Sequence, residues 1–150
     1  MKAFMLDGVL CEEAVKVGFV ASIWSLFTSR SLKNRCRNAK VIQTPEDIDL
    51  VFSTRDTSLR DVTRYWLDFN RFNGIPLIMF EDHHDIVVQA KNLLHLCGQY
   101  EVDTIVVNDL QLRLEMIKEK ERKWQSYGLK ILTKDQKSMC SLKIELSDKE

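Results

Sequence analysis

The chain has no hydrophobic run long enough to cross a bilayer. Its longest apolar stretch, residues 17–27, is interrupted by Ser22 and Ser25, and a spanning helix needs roughly 20 apolar residues. That stretch lies far from a basic N-terminus and carries no small-residue cleavage site, so it does not read as a secretory signal. There is no CxxC pair: Cys11, Cys36, Cys97 and Cys140 are widely scattered, which reads as free thiols in a reducing, cytoplasmic setting. There is no net charge either. Lysine plus arginine and aspartate plus glutamate number 22 each, so bulk electrostatics names no partner. Internal repeats and low-complexity tracts are absent. What remains, 150 residues with 45% hydrophobic and 29% charged side chains, is a globular mixture able to fill one core.

Strand-like and helix-like segments alternate along the chain. Short apolar or β-branched runs at 3–6, 48–52, 75–80, 104–107 and 129–132 predict strands. Helical spacing predicts helices over 11–27, 56–69, 85–96 and 109–127. Trp24 falls in the first of these. Leu59, Val62, Trp66 and Phe69 form the buried stripe of the second, with Arg60, Arg64 and Asp68 turned to water. Cys97 continues the apolar face of the third, and Gly128 sits where a C-cap glycine would end the fourth. Such alternation implies a parallel sheet covered by helices, with any ligand crevice at the carboxyl ends of the strands. The expected organisation is one α/β domain over 1–133, then a polar tail over 134–150 with an alternating patch at 142–146 that reads either as an added edge strand or as a frayed end.

The residues after each strand carry a resemblance. KAFMLDGVL (2–10) resembles the first signature of the haloacid dehalogenase-like (HAD) phosphatases, an apolar strand ending in Asp-x-Asp-Gly-Thr/Val. In that family the first aspartate attacks phosphorus and binds magnesium, and the second is the general acid and base. Residues two apart on a strand share a face, which is why the spacing works. Here Asp7 matches the second aspartate and Met5 stands at the nucleophile position. DLVFSTR (49–55) is similar to the second signature, with Ser53 as the phosphate-binding hydroxyl, Arg55 as the arginine and Thr54 in place of glycine. TRYWL (63–67) resembles the helix after that signature in polynucleotide 3′-phosphatase domains and related phage and bacterial enzymes. Lys91 matches the third-signature lysine. The stretch 102–132 resembles the fourth signature, with Asn108 and Asp109 in the places of two adjacent aspartates.

The resemblance implies a three-layer, Rossmann-like domain with strand order 5-4-1-2-3 and no large cap. It also implies a damaged catalytic apparatus. Methionine has no nucleophilic oxygen and is a poor ligand for magnesium, which prefers hard oxygen donors. Asn108 removes a second carboxylate, so Asp109 with Asn108 would make only a weak magnesium site. Ser53, Thr54, Arg55 and Lys91 would still hold a phosphoryl group. The expected function is therefore a catalytically impaired phosphatase-like protein that binds a phosphorylated ligand, a nucleotide or nucleic-acid end. One alternative is an active magnesium-dependent phosphohydrolase with Asp7 as acid and base. Another is a protein-interaction module on the same scaffold.

Two clusters lie outside the signatures. Arg30, Lys33, Arg35, Arg37 and Lys40 form a basic run with no acid between Ser29 and Pro45. It occupies the segment where the family places its flap or cap. It reads either as a solvated, flexible loop or as a contact for a nucleic-acid backbone, and no aromatic residue is interleaved to make a stacking platform. Arg60 and Arg64 would extend it. Glu81, Asp82, His83, His84 and Asp85 invite a metal reading. Adjacent histidines with no distant third ligand do not suit a tetrahedral site, and the better reading is a polar loop in which Asp82 or Asp85 caps the next helix.

Overall fold

The computed structural model describes residues 1–13 and 29–135, with only the backbone of Ser29 and Arg30. Expectations for Trp24 and most of the 11–27 helix, for Cys140, for the 134–150 tail beyond residue 135 and for the Arg30 side chain lie outside the described residues.

The elements run β1 (Lys2–Met5), α1 (Ser29–Arg37), β2 (Leu50–Ser53), a 3-10 turn (Thr57–Leu59), α2 (Arg60–Phe69), β3 (Leu77–Met79), α3 (Ile86–Gln99), β4 (Thr104–Val107), α4 (Leu110–Lys123) and β5 (Lys130–Thr133). This is an α/β, Rossmann-like arrangement with a five-stranded parallel sheet in the order β3-β2-β1-β4-β5. The same row read from its other edge is 5-4-1-2-3. The chain forms two compact units, one of Met1–Phe4 with the chain from His83 onward, the other Met5–Asp82.

In the first unit, β1 pairs with β4 from Lys2↔Thr104 to Phe4↔Val106, and β4 with β5 from Thr104↔Lys130 to Val107↔Thr133. Ile105, Val107, Leu93, Cys97 and Met116 are buried. Both helices begin on a carboxylate. Asp85 accepts from the Val87 N–H at 2.9 Å, and Asp109 from the Gln111 N–H at 2.7 Å, which satisfies donors that a helix start leaves open. Asp85, rather than Asp82, is thus the α3 cap.

The end of α4 differs from the sequence expectation. It stops at Lys123, not at Gly128. Trp124 leaves the helical region while its N–H still reaches the Lys120 carbonyl at 2.7 Å, and the Tyr127 N–H bonds to the Trp124 carbonyl at 2.9 Å. The Tyr127 hydroxyl donates toward the carbonyls of Cys97 and Val102, and Trp124 packs where a Cβ on Gly98 would be, 3.6 Å from its ring. Anchoring two aromatic rings against α3 breaks the helix one turn early.

In the second unit, β2 and β3 pair from Val51↔Leu77 to Ser53↔Met79. The chain after β1 winds tightly: the Leu6 carbonyl accepts from the N–H groups of Leu10 at 3.0 Å and Cys11 at 3.2 Å. Gly8 takes φ 81° there, a conformation glycine adopts without a Cβ clash. Cys11 is thus in a bridge with Val41, not in a helix. Residues 9–12 and 40–43 run side by side. The Glu12 N–H bonds to the Lys40 carbonyl at 2.9 Å and the Ile42 N–H to the Leu10 carbonyl at 2.8 Å. The Gln43 amide donates to the Val9 carbonyl at 3.1 Å.

The basic run forms α1 instead of a loop. Leu32 and Cys36, one turn apart, pack on Leu59 and Val62, and the Trp66 indole N–H donates to the Ala39 carbonyl at 2.8 Å. Arg35 and Arg37 fall in the last turn, where cations favour the helix dipole. On α2 the expected stripe holds for Leu59, Val62 and Trp66 but not for Phe69, which is 75% exposed. Phe72 takes its place, 2% exposed and stacked on Trp66 at 5.9 Å. Arg64 faces water only in part. Its guanidinium donates to the Ile75 carbonyl at 2.6 Å, the Phe72 carbonyl at 3.0 Å and the Asp68 carboxylate, and so fixes the turn that brings Phe72 inward. Arg60 leans toward the Leu77 carbonyl at 3.5 Å. Arg60 is otherwise exposed.

Candidate functional site

The second unit brings together Asp7, Ser53 and Arg55 from the sequence expectation and adds Thr63 and Cys11. Asp7 follows β1 and is held by the turn at Gly8. Ser53 ends β2, is buried, and accepts from the Arg55 N–H at 3.2 Å. That turn directs Arg55 back into the unit. Its Nε donates to Asp7 Oδ2 at 2.9 Å and its Nη2 to Asp7 Oδ1 at 2.8 Å. Nη1 donates to the Thr63 hydroxyl at 3.1 Å, and Nη2 also points at the Cys11 sulfur at 3.6 Å. Four of the five guanidinium N–H donors are thereby occupied. The Arg55 side chain is 1% exposed and that of Asp7 14%.

Burial works against the charge on Arg55, but the hydrogen bonds and Coulomb attraction of Asp7 outweigh it and raise its pKa. The two-point fork is the strongest geometry available to this pair of groups. Cys11 sits beside it with its thiol pushed up to about 12, by burial first and then by the Asp7 charge, against a smaller opposing effect of Arg55. A buried, protonated thiol is neither a nucleophile nor a metal ligand. Cys36 is likewise raised by burial.

Met5 is buried, 4% exposed, among the core side chains at the end of β1. Thr54 is partly exposed next to the closed cluster. Lys91, Asn108 and Asp109 belong to the first unit and are exposed. Lys91 lies on α3, Asn108 directly follows β4, and Asp109 caps α4. Residue by residue, the donor set does not fit a resident magnesium ion. Met5 offers a buried thioether, Asn108 an uncharged oxygen, and Asp7 has both oxygens on Arg55. In the 81–85 cluster the His83 and His84 rings stack at 4.9 Å, and His83 Nδ1 accepts from the Asp85 N–H at 3.1 Å.

Thr63 and Cys11 were not apparent from the motifs. The available signal was a hydroxyl on the buried face of α2, within the quoted TRYWL stretch, and a cysteine four residues after Asp7. No protein-family model matches the chain, and no significant match is found among curated proteins or solved structures.

Proposed function

We propose that this chain is a HAD-phosphatase-like protein that has lost hydrolysis and keeps the groups after β2 for holding a phosphorylated ligand, a nucleotide or a nucleic-acid end. The observation that carries the reading is the two-point ion pair between Asp7 and Arg55. The Asp7 carboxylate has both oxygens accepting from a buried guanidinium, where a general acid would have to face a leaving group, while Met5 offers no attacking oxygen. Covalent catalysis needs both roles filled.

Ligand binding in this reading is an exchange. A phosphate dianion presents the same pair of oxygens to the Arg55 fork as Asp7 does, with the hydroxyls of Ser53 and Thr54 as further partners. Asp7 is then a competitor for the anion site. Removing its charge strengthens phosphate binding, whereas in an active enzyme it would abolish turnover.

The test is thermal stabilisation without magnesium by inorganic phosphate and by 3′- and 5′-phosphorylated nucleotides and oligonucleotides, in wild type, Asp7→Asn and Lys91→Ala. Phosphorylated ligands raise the melting temperature where their dephosphorylated counterparts do not, Asp7→Asn responds more strongly, and no phosphate is released. No shift with any phosphorylated ligand would overturn the reading. Release that vanishes in Asp7→Asn would instead establish the active phosphohydrolase. The near-complete burial of Arg55 favours a second reading, a non-catalytic interaction module in which the cluster is a brace. Under it Ser53→Ala alters stability alone.

A further inference from the structure

Helix α1 presents its cations next to two unburied aromatic rings of α2. Phe69 is 75% and Tyr65 51% exposed. One helical turn apart, they lie nearly parallel, with centroids 6.1 Å apart and an interplanar angle of 15°. The Arg37 guanidinium sits 5.3 Å from the Tyr65 ring centre. Lys33, one turn before Arg37 on the same side of α1, is exposed, as is Lys40 just beyond the helix. Arg35 falls on the opposite flank, lining a separate cleft of about 500 Å³ with Glu12, Glu13 and Asn38.

A single exposed apolar side chain needs no explanation. Two stacked rings with a cation over one of them are a different case. Leaving a phenylalanine in water forgoes roughly 1.5–3 kcal/mol of burial, and Phe72 already occupies the core position that Phe69 would fill. Charge selects the occupant. The 29–45 segment carries five cations and no acid. On α2, Asp68 is engaged by Arg64 at 2.9 Å, which leaves Asp61 as the one other acid of that helix. Aromatic faces beside lysine and arginine suit a chain of alternating flat rings and phosphates: every base offers a π-face and every linkage a negative charge. A duplex keeps its bases stacked internally and offers the rings no face.

We infer that the Tyr65–Phe69 pair with Arg37, Lys33 and Lys40 is a binding surface for single-stranded nucleic acid. It uses no residue of the Asp7–Arg55 cluster and stands independently of the phosphate-exchange reading. The folding of the basic run into α1, against α2, creates a juxtaposition that the linear spacing of cations and aromatics hides.

The test is fluorescence anisotropy of the full chain with a labelled single strand of about 12 nucleotides, bearing hydroxyls at both ends so that no terminal phosphate contributes. Duplex of the same sequence, inorganic polyphosphate and a polyglutamate peptide are the competitors. Wild type binds the single strand more tightly than duplex or polyphosphate. Tyr65→Ala with Phe69→Ala weakens binding about tenfold or more. Arg37→Ala weakens it and lowers the salt dependence by about one counterion. Circular dichroism and the melting temperature check that these surface variants stay folded, and Arg35→Ala retains at least half of the wild-type affinity. Absent binding at low salt, or binding unchanged by loss of both rings, would overturn the proposal. Equal competition by polyphosphate would reduce the surface to bare electrostatics and likewise overturn it, and preference for polyglutamate would replace it with an acidic protein partner.

Discussion

Arg55 meets Asp7 through two nitrogens at once, Nε on one carboxylate oxygen at 2.9 Å and Nη2 on the other at 2.8 Å. Removing one partner leaves the other charged and poorly solvated. Arg55→Ala and Asp7→Ala are each expected to lower stability by about 3–5 kcal/mol, measured by urea denaturation. Arg55→Lys does not rescue, because a single ammonium cannot span both oxygens. Replacing the pair together with apolar residues, Asp7→Leu with Arg55→Met, recovers most of the loss. If Arg55→Ala changes the midpoint by less than about 1 kcal/mol, the pair is not the brace it is taken to be.

Arg64 provides a second, local prediction. It supplies donors to the carbonyls of Ile75 and Phe72, and those oxygens lose their partner in Arg64→Ala. The expected loss is about 1–3 kcal/mol, with faster hydrogen exchange confined to the turn after α2. A uniform change in exchange across the second unit would contradict a local role.

Alkaline pH should destabilise the fold in a defined window. Burial pushes the Cys11 and Cys97 thiols from 9.0 up to about 12, and burial likewise raises Tyr127 from 10.0 to about 12. Above pH 9 the unfolded chain releases thiol protons that the native state keeps. The unfolded state then binds fewer protons, so stability falls as pH rises from about 9 toward 12 and is unaffected by these groups below that range. Melting temperatures measured from pH 8 to 11 should bend downward near pH 9, and the bend should weaken in Cys97→Ala. A flat profile would show that these thiols titrate alike in both states.

The turn after β1 depends on a backbone that only glycine adopts freely. Gly8 has φ 81°, and Gly8→Ala is expected to cost about 1–2 kcal/mol by thermal denaturation. Gly74, at φ 75° with open space around it, should cost a similar amount for backbone reasons alone. Gly128→Ala, which has neither a positive φ nor a close neighbour, should be near neutral.

Strand positions were legible because buried parallel strands read as short apolar runs, and 104–107 coincides with β4. The carboxylate caps Asp85 and Asp109 were legible because capping chemistry is local. Helix α1 was not. Its charges outnumber its apolar residues, and only contact of Leu32 and Cys36 with Leu59 and Val62 makes a helix of it. Phe69 was misplaced for a related reason. Helical spacing cannot know that Phe72, three residues later and beyond the helix end, returns to the same spot. At the site, Asp7, Ser53 and Arg55 could be named from motif order, but their closure into an ion pair could not. Spacing along a strand says which face a side chain takes, not which other element supplies its partner.

Residues 9–12 and 40–43 are fastened to one another by backbone hydrogen bonds around the Cys11↔Val41 bridge. Whatever the chain carries between those two points is therefore an excursion that leaves and returns at one clasp. That excursion is not free of the rest of the second unit, because α1 lies within it and packs Leu32 and Cys36 on Leu59 and Val62. The clasp and that packing together hold α1 against α2, so a segment grafted in place of α1 would inherit closed ends but would leave Leu59 and Val62 uncovered.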